Sequence, residues 1–186
     1  MAGDLVMTVV DKGGKPVPNA VVTVYPSAGL PGGAISFPWG STMVQQDIAF
    51  NPHVLIIPVG ATVRFPNKDK VRHHIYSFSK PARFEIKLFG KDETRSYRFT
   101  TAGAVALGCN IHDMMSGFIK VVDTPFAAKS DASGALRISG LPAGSARVVV
   151  WQPMMRAKYN EITLNLNFGR TGATQQRVPI EMRGGA

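Results

Sequence analysis

One stretch of nine residues concentrates most of the chemistry this chain can perform. Cys109-Asn110-Ile111-His112-Asp113-Met114-Met115-Ser116-Gly117 contains the only cysteine, the last of the four histidines and two adjacent methionines. A lone cysteine is often a small buried hydrophobe, and a methionine is often core filler. At Cys-x2-His-x2-Met spacing, however, a thiolate, an imidazole and a thioether share one short loop. Thiolate and thioether suit Cu(I), imidazole suits both oxidation states, and Cu(II) heads the affinity order of the divalent first-row ions. Zinc sites draw on Cys, His and carboxylate and make little use of Met. A second histidine from elsewhere would complete two imidazoles, one thiolate and a weak axial Met, the donor set of a blue-copper electron-transfer site. The histidines available are His53, His73 and His74. His73 and His74 are adjacent, so in a strand they point to opposite faces and only one can meet a shared centre. His53, after Pro52, reads as a surface or partly packed side chain, with a further metal donor as the alternative.

The elements that must position these donors read as strands throughout. Val6 to Val10, Ala20 to Tyr25, Val54 to Ile57, Ala61 to Phe65 and Ile75 to Phe78 are short β-branched or aromatic runs bounded by Gly, Pro, Asn or Asp. Phe84 to Leu88, Ser96 to Thr100 and Ala104 to Leu107 continue the pattern, and the last of these delivers Cys109. Phe118 to Val122 leaves the loop as another strand. Met43 to Phe50 reads as one strand, Pro26 to Gly40 as a Gly/Pro-rich linker, and Ile162 to Phe168 as a strand with one wet face. Arg177 to Glu181 is expected to be the hairpin partner of Ile162 to Phe168. Nothing sustains a helical period, so the expected class is all-β.

The loop resembles the ligand loop of cupredoxins, with the spacing of the short-loop amicyanin type: Cys-x2-His-x2-Met-x-Gly, then a strand. The upstream pattern of aromatic, Asn, short loop and His is met by Phe65-Pro66-Asn67-Lys68-Asp69-Lys70-Val71-Arg72-His73. The resemblance spans about residues 41–123. It implies a Greek-key β-sandwich barrel holding one copper ion, with His73, Cys109 and His112 as equatorial ligands and Met115, rather than Met114, as the axial one. His74 would then support the site by hydrogen bonding. The implied function is shuttling single electrons between redox partners, with a cytochrome or a dehydrogenase as the partner class; similar bacterial plastocyanin-like proteins are labelled methylamine-utilisation proteins. The implied compartment is the periplasm, with a signal peptide removed. Ile111 and Met114 would flank His112 as an apolar exit for the electron. Asp113 stands where amicyanin-like loops carry Pro, and would stabilise positive charge beside the ligand imidazole.

The two ends of the chain carry a different resemblance. Asp11-Lys12-Gly13-Gly14-Lys15-Pro16 followed by Ala20-Val21-Val22-Thr23-Val24 is similar to the opening of small sandwiches of the carboxypeptidase-regulatory, Cna-B or transthyretin-like type. The matching second half comes only at Asp131-Ala132-Ser133-Gly134, Leu141-Pro142-Ala143-Gly144 and Ala146 to Trp151. This predicts a second small β-sandwich made of residues 1–37 and 124–186, with the cupredoxin-like domain, residues 38–123, inserted in one of its loops. Insertion at an exposed loop is tolerated when the insert's ends lie close together.

Composition narrows the remaining classes. The chain has 186 residues, 45% of them hydrophobic, enough for one large or two small cores. No run approaches the 18 or so apolar residues of a transmembrane segment. One cysteine rules out an internal disulfide. The net charge of +9 comes from scattered Lys and Arg without a nucleic-acid motif, so no nucleic-acid partner is expected; it would steer the protein toward an acidic partner or an anionic membrane surface. No acid–base pair stands by the loop, so an enzyme is not expected. The rival to a carrier is a copper delivery or sensing module with an exchangeable ion, using His53, His74 or Met114.

Overall fold

A computed structural model describes residues 2–110, 112 and 114–184. The readings placed on Ile111 and Asp113 fall outside the described residues. In chain order the strands are β1 (Ala2–Asp11), β2 (Val21–Pro26), β3 (Val44–Gln46), β4 (Ala49–Asn51), β5 (Val54–Pro58), β6 (Thr62–Pro66), β7 (His73–Ser79) and β8 (Ala82–Phe89). They continue as β9 (Thr94–Arg98), β10 (Gly103–Gly108), β11 (Ser116–Val122), β12 (Ala127–Lys129), β13 (Ala135–Pro142), β14 (Gly144–Trp151), β15 (Glu161–Phe168) and β16 (Ala173–Ile180). The protein is all-β. The backbone divides into two compact units, Met1–Ala34 with Thr124–Ala186, and Ile35–Asp123.

In the first unit, β13-β1-β16 form one sheet and β12-β2-β14-β15 another. Leu5, Met7 and Val9 alternate inward along β1 and are fully buried. They share a core with Val22 and Val24 of β2 and Val148 and Val150 of β14. Each such side chain contributes about 1.5–3 kcal/mol by leaving water. The two Asp-Gly turns of the sequence have a plain physical purpose. Asp11 Oδ1 accepts from the backbone N–H of Gly13 at 2.9 Å and of Lys15 at 2.8 Å. Asp131 Oδ1 accepts from the Ser133 N–H, the Ser133 hydroxyl and the Ala135 N–H at 2.9, 2.6 and 3.1 Å. Both carboxylates thus replace the partners that turn N–H groups lose when a strand ends.

One expectation for this unit fails. The segment around Arg177 to Glu181 is not the hairpin partner of Ile162–Phe168. β15 pairs instead with β14, and β16 lies parallel to β1, in register from Asp4 opposite Ala173 to Asp11 opposite Ile180. Val178 and Ile180 are buried in the same core as Leu5 and Met7. Burial against the other sheet therefore outweighs the local closure that a hairpin would have offered.

In the second unit, β5-β11-β10-β7-β8 form a five-stranded sheet, joined by the two-stranded ladders β3-β4 and β6-β9. Met43, Phe65, Phe89, Phe99, Val105 and Ile119 are among its core. β10 lies between β11 and β7, so the ends of three neighbouring strands meet at the loop that follows Gly108. Met43 to Phe50 is not one strand. Asp47 and Ile48 both take positive φ, at 55° and 53°, and turn the segment into the β3-β4 hairpin. The reason for that turn lies in the site.

Candidate metal centre

Three strand ends supply the donors. His73 is the first residue of β7, Cys109 follows the last residue of β10, and His112 lies in the loop leading to β11. Glycines bracket that loop where neighbouring chains come close. A Cβ on Gly108 would lie 2.6 Å from the Tyr76 ring, and one on Gly117 would lie 2.8 Å from the Phe50 Cβ. No side chain larger than hydrogen fits either place without movement of its neighbour.

His73, Cys109 and His112 form a cluster whose ligand atoms all lie within 4.8 Å of one another. Cys109 Sγ stands 3.8 Å from His73 Nδ1 and 3.7 Å from His112 Nδ1. The two imidazole rings are 5.2 Å apart, inclined at 60°. His73 is fully buried, Cys109 is 2% exposed, and His112 is half-buried. These separations fit a metal. Bonds of about 2.0 Å to nitrogen and 2.3 Å to sulfur, meeting at an open angle, span about 3.7–3.8 Å between donors. Two imidazoles and a thiol in a largely dry pocket match copper or zinc in donor type, and a thioether nearby favours copper.

The segment before His73 is pinned from several sides. Asn67, fully buried, donates through Nδ2 to the carbonyls of Val71 at 2.9 Å and Phe89 at 3.1 Å. Its Oδ1 accepts the N–H of Asp69 at 2.9 Å. That places the Asp69 carboxylate 2.6 Å from His73 Nε2. A carboxylate only accepts, so Nε2 carries a proton toward Asp69 and Nδ1 is the ring nitrogen that faces Cys109. The same carboxylate accepts the N–H groups of Asp47 at 2.6 Å and Ile48 at 3.0 Å. The left-handed turn between β3 and β4 thus has a function: it aims two backbone donors at the partner of His73. Burial pushes the Asp69 carboxyl up, but hydrogen bonds from His73, Ile48 and Asp47 outweigh it and hold the group below its usual range.

The other sequence candidates separate cleanly. Met115 is 2% exposed and belongs to the same core cluster as Cys109, whereas Met114 is 95% exposed. The Met115 N–H donates to the His112 carbonyl at 2.9 Å, closing a tight turn between the two residues. His74 is not part of the cluster and pairs through Nε2 with Glu85 at 3.0 Å. That hydrogen bond is the main reason the Glu85 carboxyl lies below its usual range. His53 is exposed, packs edge-on against Phe118 with ring centres 5.4 Å apart, and lies outside the cluster. A cleft of about 420 Å³ lined by Tyr76, Phe78, Leu107 and Met115 borders the loop. Sequence reasoning passed over Asp69: four residues before a histidine, an aspartate in a loop carries no signal of its own until the β3-β4 turn is seen against it.

No family model matches the chain. No curated protein matches it either. Solved structures do. A purple cupredoxin from Nitrosopumilus maritimus is 23% identical, covering 45% of this chain and 100% of its own, with a TM-score of 0.40. A variant of amicyanin in the reduced state is 22% identical, covering 56% of this chain and 99% of its own, with a TM-score of 0.41. An oxidised amicyanin variant gives the same four figures. No helix among the described residues is long and apolar enough to cross a membrane.

Proposed function

We propose that the protein is a periplasmic mononuclear copper protein that carries single electrons, with His73, Cys109, His112 and Met115 as the ligands. The observation that carries this reading is the meeting of Cys109 Sγ with two imidazole Nδ1 atoms at 3.8 and 3.7 Å. Copper bound there would alternate between Cu(I) and Cu(II), storing and releasing one electron. The residues do the rest. Asp69 holds His73 in one tautomer and one orientation, and Asn67 holds Asp69. Burial of Cys109 and His73 keeps water from the donors. Met115, buried in the same core as Cys109, would supply the weak axial bond that tunes potential. His112, the least buried of the three grouped ligands, offers the route to a redox partner such as a cytochrome or dehydrogenase. A net charge of +9 favours a partner with an acidic surface.

The delivery or sensing alternative needs donors that exchange copper at the surface. His74 is engaged by Glu85 and His53 stands apart, which favours the carrier. We further propose that residues 38–123 are a copper domain inserted in a Cna-B or transthyretin-like sandwich of residues 1–37 and 124–186. Strand pairing of β1 with β13 and β16, and of β2 with β14, supports this.

The test is spectroscopic. Loaded with Cu(II), the protein is expected to show an intense thiolate charge-transfer band and a narrow EPR hyperfine pattern. Cys109→Ser should abolish both while leaving the apoprotein folded. A pale, water-accessible Cu(II) signal in the unaltered protein overturns the carrier reading.

A further inference from the structure

The first unit leaves one strand edge open and unguarded. β15 is the outermost strand of the sheet β12-β2-β14-β15, and among the described residues no strand pairs with its other side. A free edge is a row of unused backbone donors and acceptors, a template for pairing with another chain, and proteins blunt such edges with charge, proline or brevity. The other outer strands of the larger sheets do so. β16 carries Arg177 and Pro179, β13 carries Arg137, β8 carries Arg83 and Lys87, β5 ends at Pro58, and β12 has only 3 residues. From Ile162 to Phe168, β15 has neither a charge nor a proline.

The phase of the β14-β15 ladder fixes which backbone groups are free. The Gln152 N–H donates to the Asn160 carbonyl at 3.1 Å, beside the pairing of Trp151 with Glu161. In an antiparallel ladder, residues that exchange bonds with the neighbour alternate with residues that do not. Ile162, Leu164, Leu166 and Phe168 therefore turn their backbone groups toward β14, and Thr163, Asn165 and Asn167 turn theirs outward. Side chains alternate too. Ile162, Leu164 and Leu166 pack against the core of the unit yet are only half-buried, whereas Thr163, Asn165 and Asn167 are exposed.

This edge is complementary to itself. We propose that a second copy of this chain pairs antiparallel along it, β15 against β15, about a two-fold axis at Asn165. In that register Thr163 lies opposite Asn167 of the second copy and Asn165 lies opposite its own counterpart. These are the residues whose backbone groups face outward, so each pair exchanges both bonds. On the apolar face Leu164 meets Leu166 and Ile162 meets Phe168, covering surface that one copy leaves half-exposed. A slip of one residue would set apolar side chains against polar ones. Glu161 falls opposite Gly169, next to the exposed Arg170, so the charges at the two ends of the paired run are opposite in sign. The same patch serves both copies, as a two-fold interface requires, and the two 4-stranded sheets become one.

Sedimentation equilibrium of the full chain, from sub-micromolar to near-millimolar concentration, tests this beside Asn165→Lys and Asn165→Glu. The unaltered chain is expected to form a dimer as concentration rises. Each variant alone sets like charges opposite one another at the axis, which destabilises the pairing, and should stay monomeric across the series. Asn165 is exposed, so both variants should melt with the unaltered chain. An equimolar mixture of the two sets opposite charges at the axis and should recover the dimer. Hydrogen exchange of the unaltered chain needs no variant: the amides of Thr163, Asn165 and Asn167 should gain protection as the dimer forms. A monomeric unaltered chain overturns the proposal and leaves the edge to a strand of some other protein. A dimer that persists in both variants, a mixture that stays monomeric, or amides that exchange alike in monomer and dimer also overturns it.

Discussion

Asp69 accepts the Nε2 proton of His73 at 2.6 Å while the other nitrogen of that ring faces the Cys109 sulfur at 3.8 Å. One imidazole thus links a carboxylate, held by the backbone N–H groups of Asp47 and Ile48, to the sulfur at the centre of the site. Outer partners of this kind set tautomer and orientation, and their loss typically weakens metal binding about 10- to 100-fold.

Replacing Asp69 by Leu should therefore act twice. The N–H groups of Asp47, Ile48 and His73 lose their acceptor, which should lower stability of the apoprotein by about 1–3 kcal/mol. Copper affinity should fall by the 10- to 100-fold just given. Asp69→Asn keeps an oxygen acceptor and should recover part of both. Denaturant melts with and without copper, together with chelator competition, measure the two effects separately.

The two methionines of the loop should behave differently. Met115→Leu conserves volume in the core and should cost less than about 1.5 kcal/mol, yet shift the reduction potential and alter the EPR spectrum by removing a thioether. Met114→Leu, at a side chain 95% exposed, should leave both unchanged. Equal spectra for the unaltered protein and Met115→Leu would remove Met115 from the ligand set.

Gly117→Ala tests the close approach at the far end of the loop. The new methyl would meet the Phe50 Cβ at 2.8 Å. Overpacking of this sort costs about 1–3 kcal/mol, read as a lower melting temperature. Because the clash is with the Cβ, shortening Phe50 to Leu should not restore stability, whereas Phe50→Gly should show coupling with Gly117→Ala in a double-mutant cycle.

In the other unit, acid should loosen the Asp131 turn. Hydrogen bonds from the Ser133 hydroxyl and from the backbone of Ala135 and Ser133 hold this carboxyl below its ordinary value of 3.8. A carboxyl depressed in the folded state adds stability above its unfolded pKa and loses it as pH falls through the folded one. Asp131→Asn should therefore lower the urea midpoint near neutral pH and flatten the decline of that midpoint below about pH 4. Parallel slopes for the two proteins in that acid range would refute the assignment.

What was legible in the residues alone were the features that are local. Cys109, His112 and Met115 are three residues apart, and alternating apolar runs with Gly and Pro between them announce strands, because strand pattern and turn chemistry are read within a few residues. His73 was reachable through Asn67, and the structure explains why that motif exists: Asn67 ties together the loop that ends at His73. The positive φ at Asp47 and Ile48 was not legible, since neither is glycine and the pattern around them reads as an unbroken strand. Nor was the parallel pairing of β16 with β1, where two segments more than 150 residues apart in sequence find each other through the core that both bury.

The sequence by itself determined which atoms can bind metal and that strands must carry them. Only the tertiary structure decided which nitrogen of His73 faces Cys109, which methionine is buried, and that Asp69 belongs beside His73. Donor type is a property of a side chain, and strand formation depends on near neighbours. Orientation, tautomer and burial depend on partners brought from distant strands, and no spacing along the chain encodes those.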